Sequence, residues 1–176
     1  MHMKNKKNWI SLGIFLAAVA VLSAADQITK AAAESALKSG RTIPIIKDVF
    51  ELYYLENTGT AWGMFDGGRI FFLILTVIIF AVLVFIIFKM PLRKKYLWMR
   101  ITIILLGAGA VGNFIDRLFL GYVRDFLYFK VINFPVFNIA DCYVTVGLIM
   151  FILMILFIYK DSDFDFIKLN GKAENE

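Results

Sequence analysis

Four aspartates in this sequence, Asp26, Asp116, Asp125 and Asp141, stand in or beside apolar runs with a base or amide close by, and they are its candidates for proton chemistry. Asp26 and Lys30 are spaced i,i+4, on one helix face, a spacing that favours a structural ion pair over a catalytic role. Asn113, Asp116 and Arg117 share a helix face with Gly109, whose missing side chain lets another helix come close. Arg117 is open either to orienting a carbonyl or lipid phosphate or to pairing with Asp116. Asn138 suits a helix N-cap, and Asp141, three residues on, meets the positive end of the helix dipole or does chemistry there. Asp125 lies in the aromatic, membrane-hugging run Tyr122–Phe129, where a carboxylate needs a partner. If Asp125 and Asp141 meet, two like charges at close range hold one proton between them. Such a pair supplies a base to take a proton from water and an acid to hydrogen-bond the developing oxyanion of a peptide carbonyl.

That chemistry needs neither metal nor histidine. The one histidine, His2, sits in a polar amino-terminal tail that could be partly an expression remnant, and the one cysteine, Cys142, excludes an internal disulfide. Histidine-dependent triads, His/Cys zinc sites and a cofactor are therefore not expected. Cys142 beside Asp141 lacks a base to activate it and is better read as a small buried hydrophobe. The net charge of +5 does not indicate nucleic acid, because the basic residues fall in short blocks beside apolar runs.

The elements that must position these groups are membrane helices. Of 176 residues 60% are hydrophobic and 19% charged, more apolar than a soluble domain of this size can bury. Spans are expected at about 9–25, 70–88, 98–115 and 139–159, each near the ~20 residues that cross ~30 Å of hydrocarbon. The first, preceded by Lys4, Lys6 and Lys7 and ending in Ser23-Ala24-Ala25, also resembles a cleavable signal peptide with Asp26 as the mature terminus. A retained helix is preferred, since helix-forming residues continue to Ala33. Lys89, Arg93, Lys94, Lys95 and Arg100 place the second connection in the cytoplasm, with both termini. Segments 34–69 and 116–138 then face outward, the first more basic than the rule favours.

The outer segment of about 40–66 carries Val49–Leu55, rich in aromatic and β-branched residues, and the turn Asn57-Thr58-Gly59. It is expected to form a strand or hairpin at the membrane surface. With no internal repeat and only the tail 170–176 polar enough to be disordered, residues 1–176 read as one integral membrane domain. The fold class is an all-α membrane protein of four transmembrane helices, with a small extracytoplasmic β element between helices 1 and 2. This topology brings Asp26, Lys30, Asp116, Arg117, Asp125 and Asp141 to one leaflet edge. Ionisable groups at membrane depth are costly unless paired or wet, so their convergence points to a site; interfacial snorkelling is the plainer alternative.

Five short motifs occur in order: Asp26-Gln27-Ile28-Thr29-Lys30, Glu56-Asn57-Thr58-Gly59-Thr60-Ala61-Trp62-Gly63, Gly112-Asn113-Phe114-Ile115-Asp116-Arg117, Val123-Arg124-Asp125-Phe126 and Phe137-Asn138-Ile139-Ala140-Asp141. On these the chain resembles the lipoprotein signal peptidase, or signal peptidase II, family of bacterial intramembrane aspartyl proteases, along nearly its whole length. The resemblance implies that Asp125 and Asp141 are the catalytic pair. It also implies that Asn57 and Arg117 contact substrate and that Asp26, Lys30, Asn113, Asp116 and Asn138 support the site. The substrate implied is a prolipoprotein with diacylglycerol on its lipobox cysteine, cleaved just before that cysteine at the extracytoplasmic face of the bacterial plasma membrane, with membrane lipids as the other partners. Thr60 departs from the family pattern, where Ala is expected.

Two other classes explain part of the pattern. A proton-coupled transporter would use Asp26, Asp116 and Asp141 as relays, but its polar groups would lie at the bilayer midplane. A membrane scaffold would explain the helices and leave Asp125 without a reason.

Overall fold

The computed structural model describes residues 2–59 and 68–167. Thr60, Ala61, Trp62 and Gly63 of the second motif, the rest of the outer segment through residue 66, and the carboxyl tail with Lys168 and Lys172 lie outside the described residues.

Among the described residues, four helices are long and apolar enough to cross a membrane. Helix α1 runs from His2 to Leu37, α2 from Arg69 to Lys89, α3 from Leu97 to Phe119 and α4 from Ile139 to Phe157. The 36 residues of α1 make about 54 Å of helix, well beyond ~30 Å of hydrocarbon, and no break falls at Ala25. Its last turns therefore rise past the bundle as a post against which a sheet can pack.

That sheet has three antiparallel strands in the order β1 (Ile43–Ile46), β2 (Phe50–Asn57) and β3 (Val123–Phe129). Two come from the connection between α1 and α2, as the composition of Val49–Leu55 indicates. The third comes from the connection between α3 and α4, whose composition suggests only an aromatic, membrane-hugging loop. The residues do form a strand, because β2 offers its free edge: Phe50 pairs with Phe129, Leu55 with Asp125 and Asn57 with Val123. A bulge between Leu52 and Leu55 sets Tyr53 and Tyr54 against Phe126 alone. Ala33 and Leu37 of α1 meet Phe126 of β3 in a small apolar cluster that seats the sheet on the helices.

Between the helices the core is formed by Phe15 and Val19 of α1, Leu83 and Ile87 of α2, Met99 and Ile103 of α3 and Met154 of α4. The small residues of α3 act here as their type suggests. A Cβ on Gly107 would stand 3.2 Å from the Phe15 ring, and one on Gly109 would strike the Ala140 carbonyl oxygen and lie 2.6 Å from Val144. At Gly112 it would sit 2.6 Å from a carboxylate oxygen of Asp26 and 3.0 Å from the Ala140 Cβ. The glycine face of α3 thus lets α1 and α4 close on it at the sheet end, which is where the carboxylates lie.

Candidate active site

Asp125 reaches the site because of how β3 is paired on both sides. On one edge, register with β2 places Asn57 one step away on the same face, and the Asn57 amide donates to Asp125 Oδ2 at 2.8 Å. On the other edge, Phe137 bridges Leu127, with N–H···O bonds of 2.8 and 3.0 Å between them. The chain then turns directly into α4, so the next residue, Asn138, lies beside Asp125 and donates to its Oδ1 at 2.6 Å.

Asn138 is the N-cap that its sequence context suggests. Its side-chain oxygen accepts the Asp141 N–H at 3.0 Å, and Asp141 Oδ2 accepts the Asn138 N–H at 3.0 Å, a reciprocal capping box. Asp141 is therefore the complement to the helix start that its spacing suggests, and its carboxylate also lines the cavity described below. Its second oxygen accepts from Asn113 Nδ2 at 2.8 Å.

Among the described residues the two carboxylates thus take four amide donors, three of them asparagine side chains whose orientation is fixed from behind. The Asn57 oxygen is held by Gly59 N–H at 3.0 Å. The Asn138 oxygen is held by the helix it caps. The Asn113 oxygen accepts from Lys30 Nζ at 2.9 Å and from Asn138 at 3.1 Å. Since lysine can only donate, Asn113 must turn its nitrogen toward Asp141.

Lys30 is fully buried, 2.9 Å from Asp26 and 3.6 Å from Asp116. The i,i+4 pair expected between Asp26 and Lys30 is present, and Asp26 does more than pair: its Oδ1 accepts the Ala140 N–H at 2.9 Å, so α1 caps the first turn of α4. Of the two readings open for Arg117, pairing with Asp116 is not the one adopted. Asp116 turns away to Arg124 at 2.8 Å, while Arg117 lies 4.7 Å from the Phe72 ring and donates to the Gly59 carbonyl at 3.4 Å. Gln27, unassigned from sequence, bridges α1 and α3 by donating to the Gly112 carbonyl and to Asp116, each at 3.0 Å.

A cavity of about 610 Å³ opens in front of this framework. Asp125, Asp141, Asn57, Asn113 and Arg117 form its polar wall, and Phe129, Phe134, Pro135, Phe137, Val144 and Val146 its apolar one. Cys142 also lines it, so its side chain is only partly buried, against the sequence expectation. Asp125 is 1% exposed, and that burial, with the nearby charge of Asp141, pushes its carboxyl up to about 7. Asp125 can therefore keep its proton up to near neutrality, on a cavity wall it shares with Asp141 and opposite an apolar wall.

A family model described as Signal peptidase (SPase) II matches residues 18–157. A lipoprotein signal peptidase from Caldanaerobacter subterraneus subsp. tengcongensis is 43% identical over 136 residues, covering 77% of this chain and 89% of that protein. One from Enterococcus faecalis is 39% identical over 146 residues, covering 82% and 89%. One from Staphylococcus aureus is 38% identical over 155 residues, covering 86% and 92%. A solved structure described as a bacterial membrane enzyme superposes with a TM-score of 0.72 at 34% identity, covering 93% of this chain and 94% of that one. Multi-pass helices, a family model over most of the chain and relatives alike along nearly their full length agree: this chain belongs to the signal peptidase II family.

Proposed function

We propose that this chain is a membrane aspartic endopeptidase that removes the signal peptide from diacylglyceryl-modified prolipoproteins, cleaving before the lipidated cysteine, with Asp125 and Asp141 as its catalytic pair. The observation that carries this reading is that both carboxylates open onto one shared cavity, each held by two amide donors and facing an apolar wall. One carboxylate takes a proton from water as it attacks the scissile carbonyl. The other, protonated, hydrogen-bonds the oxyanion and then gives its proton to the leaving nitrogen. Asn57 and Arg117, on the cavity wall, are placed to hold the peptide; the apolar wall suits acyl chains entering from the bilayer.

Asp26, Lys30, Asn113, Asp116 and Asn138 support the pair: they close α1, α3 and α4 around it and fix the amides that orient it. The chain acts as one integral membrane domain over residues 1–176. Its basic α2–α3 connection and both termini lie in the cytoplasm and the site at the extracytoplasmic face, as the positive blocks support. A transport reading has less support, because Asp26 and Asp116 are fully buried and already paired with Lys30 and Arg124.

The test is release of signal peptide from a lipidated precursor by detergent-purified Asp125→Asn and Asp141→Asn. Each is expected to lose cleavage while remaining folded. Retained turnover in either would remove that residue from the pair.

A further inference from the structure

Arg124 immediately precedes Asp125 on β3, and successive strand side chains point to opposite faces. With Asp125 displayed toward the cavity, Arg124 is carried to the rear, where α1 and α3 pass. There Nη2 donates to Asp116 Oδ1 and to Gln27 Oε1, each at 2.8 Å. Nε donates to Asp116 Oδ2 at 3.3 Å, and Nη1 to Glu34 Oε2 at 3.3 Å. Asp116 Oδ2 also accepts the backbone N–H of Arg124 at 2.9 Å. One fully buried carboxylate on α3 therefore grips both the main chain and the side chain of the residue next to Asp125.

The planar guanidinium meets Asp116 through two nitrogens on two oxygens, an arrangement that fixes angle as well as distance and that lysine cannot reproduce. Rotation of β3 about its own axis would swing Asp125 away from Asp141, and a two-point fork on the adjacent residue resists that rotation. The strand is also held along its edges by β2 and by the Phe137 bridge, while on its rear face the neighbouring contact, Phe126 with Ala33 and Leu37, is apolar and sets no angle.

We propose that Arg124 is a positioning residue for the cleavage reaction: clamped behind the strand to Asp116, Gln27 and Glu34, it sets the angle at which Asp125 faces Asp141. It touches neither substrate nor reacting atoms. The inference rests on Asp125 being catalytic, as read above.

The test uses the full chain in detergent with Arg124→Gln, Arg124→Lys and the double variant Arg124→Gln/Asp116→Asn, which avoids stranding a buried carboxylate if the single variant fails to fold. Asp125→Asn is assayed alongside. Arg124→Gln and the double variant are expected to lose roughly 10- to 100-fold in kcat, the scale of a misplaced reacting group, with KM kept within about twofold. Arg124→Lys is expected to recover only part of that loss.

The alkaline limb of kcat against pH gives a readout that fold stability does not move. Asp125 is faced by Asp141 from α4, Lys30 from α1 and Arg117 from α3. A strand free to turn admits water and weakens the repulsion from Asp141, so the limb should shift to lower pH by about half a unit. Folded Arg124 variants with wild-type kcat and an unmoved limb overturn the clamp, even if their melting temperature falls. The dyad reading then still stands on the inactivity of Asp125→Asn; cleavage by Asp125→Asn overturns both.

Discussion

The Asn138 side-chain amide donates to Asp125 at 2.6 Å, and the same residue's main-chain N–H is held by Asp141 at 3.0 Å. One asparagine, placed where a strand bridge runs into a helix cap, thus ties the two carboxylates to a common reference. Removing it acts at two levels. Asn138→Ala loses an N-cap, worth about 1 kcal/mol of stability, and leaves Asp125 short of a donor. Cleavage is expected to fall about 100-fold or more, the scale of losing one oriented donor in an active site. The thermal midpoint, measured beside initial rates, should drop only modestly. Equal losses in both would reduce Asn138 to a structural cap.

A pH dependence follows from Asp125. Burial and then the charge of Asp141 raise its carboxyl to about 7, so Asp125 keeps its proton below that pH and loses it above. Cleavage rates should decline on the alkaline side with a limb near 7, measured as kcat/KM for the free enzyme. The sign for stability is separate. A carboxyl raised in the folded state carries no penalty below its unfolded value of about 4. It costs progressively more as pH rises from there to about 7, at ~1.4 kcal/mol per unit. Thermal midpoints of the wild type should therefore fall between pH 5 and pH 7 in buffers of about those values, and Asp125→Asn should show a flatter slope. A steeper slope in that variant would contradict the assignment.

Much of this was legible in the sequence because the signals were local. Asp26 and Lys30 pair as an i,i+4 spacing requires, Asn138 caps as its spacing to Asp141 requires, and the glycines of α3 mark the closest helix contacts. What was not legible depended on distant partners. Val123–Phe129 reads as a membrane-hugging loop because its strand character comes from β2, 66 residues earlier where Asn57 meets Val123 (123 − 57 = 66). The neighbours Asp116 and Arg117 suggest a pair, but successive helix residues diverge by about 100°, so one turns to Arg124 and the other to the cavity. Arg124 was visible in its motif without a role, since the face it would occupy depends on β3 being a strand.

The buried cation of Lys30 answers two carboxylates and sets the orientation of Asn113. Lys30→Met leaves Asp26 and Asp116 underneutralised inside the bundle, and breaking a buried pair this way costs about 3–5 kcal/mol. The variant should be poorly folded in detergent. Lys30→Met with Asp26→Asn should recover part of the melting temperature but little activity, since Asn113 remains unoriented. Full recovery of cleavage in the double variant would remove Asn113 orientation from the mechanism.

The glycines of α1 and α3 make a matched comparison. A Cβ at Gly13 meets nothing within 4 Å, whereas one at Gly112 falls 2.6 Å from Asp26 and 3.0 Å from Ala140. Gly13→Ala should be neutral or slightly stabilising, by up to about 1 kcal/mol from helix propensity. Gly112→Ala should destabilise by about 1–3 kcal/mol, as overpacking does, and should also lower activity, because it separates the helices that carry Asn113 and Asp141. Equal thermal midpoints for the two variants would contradict the close packing at Gly112.

The orientation in the membrane rests on charge. Lys38 follows α1 at the sheet end, and Lys94 lies in the short turn between α2 and α3 at the other. Cys142 lines the cavity and would itself take label, so the background is Cys142→Ala. Lys38→Cys should then react with an impermeant maleimide added to intact cells, and Lys94→Cys only after the membrane is opened. The reverse pattern would put the carboxylates on the cytoplasmic side, where a substrate still awaiting export would be cut too early. Labelling of both from outside would mean that α2 does not cross, despite the strongest apolar run in the chain.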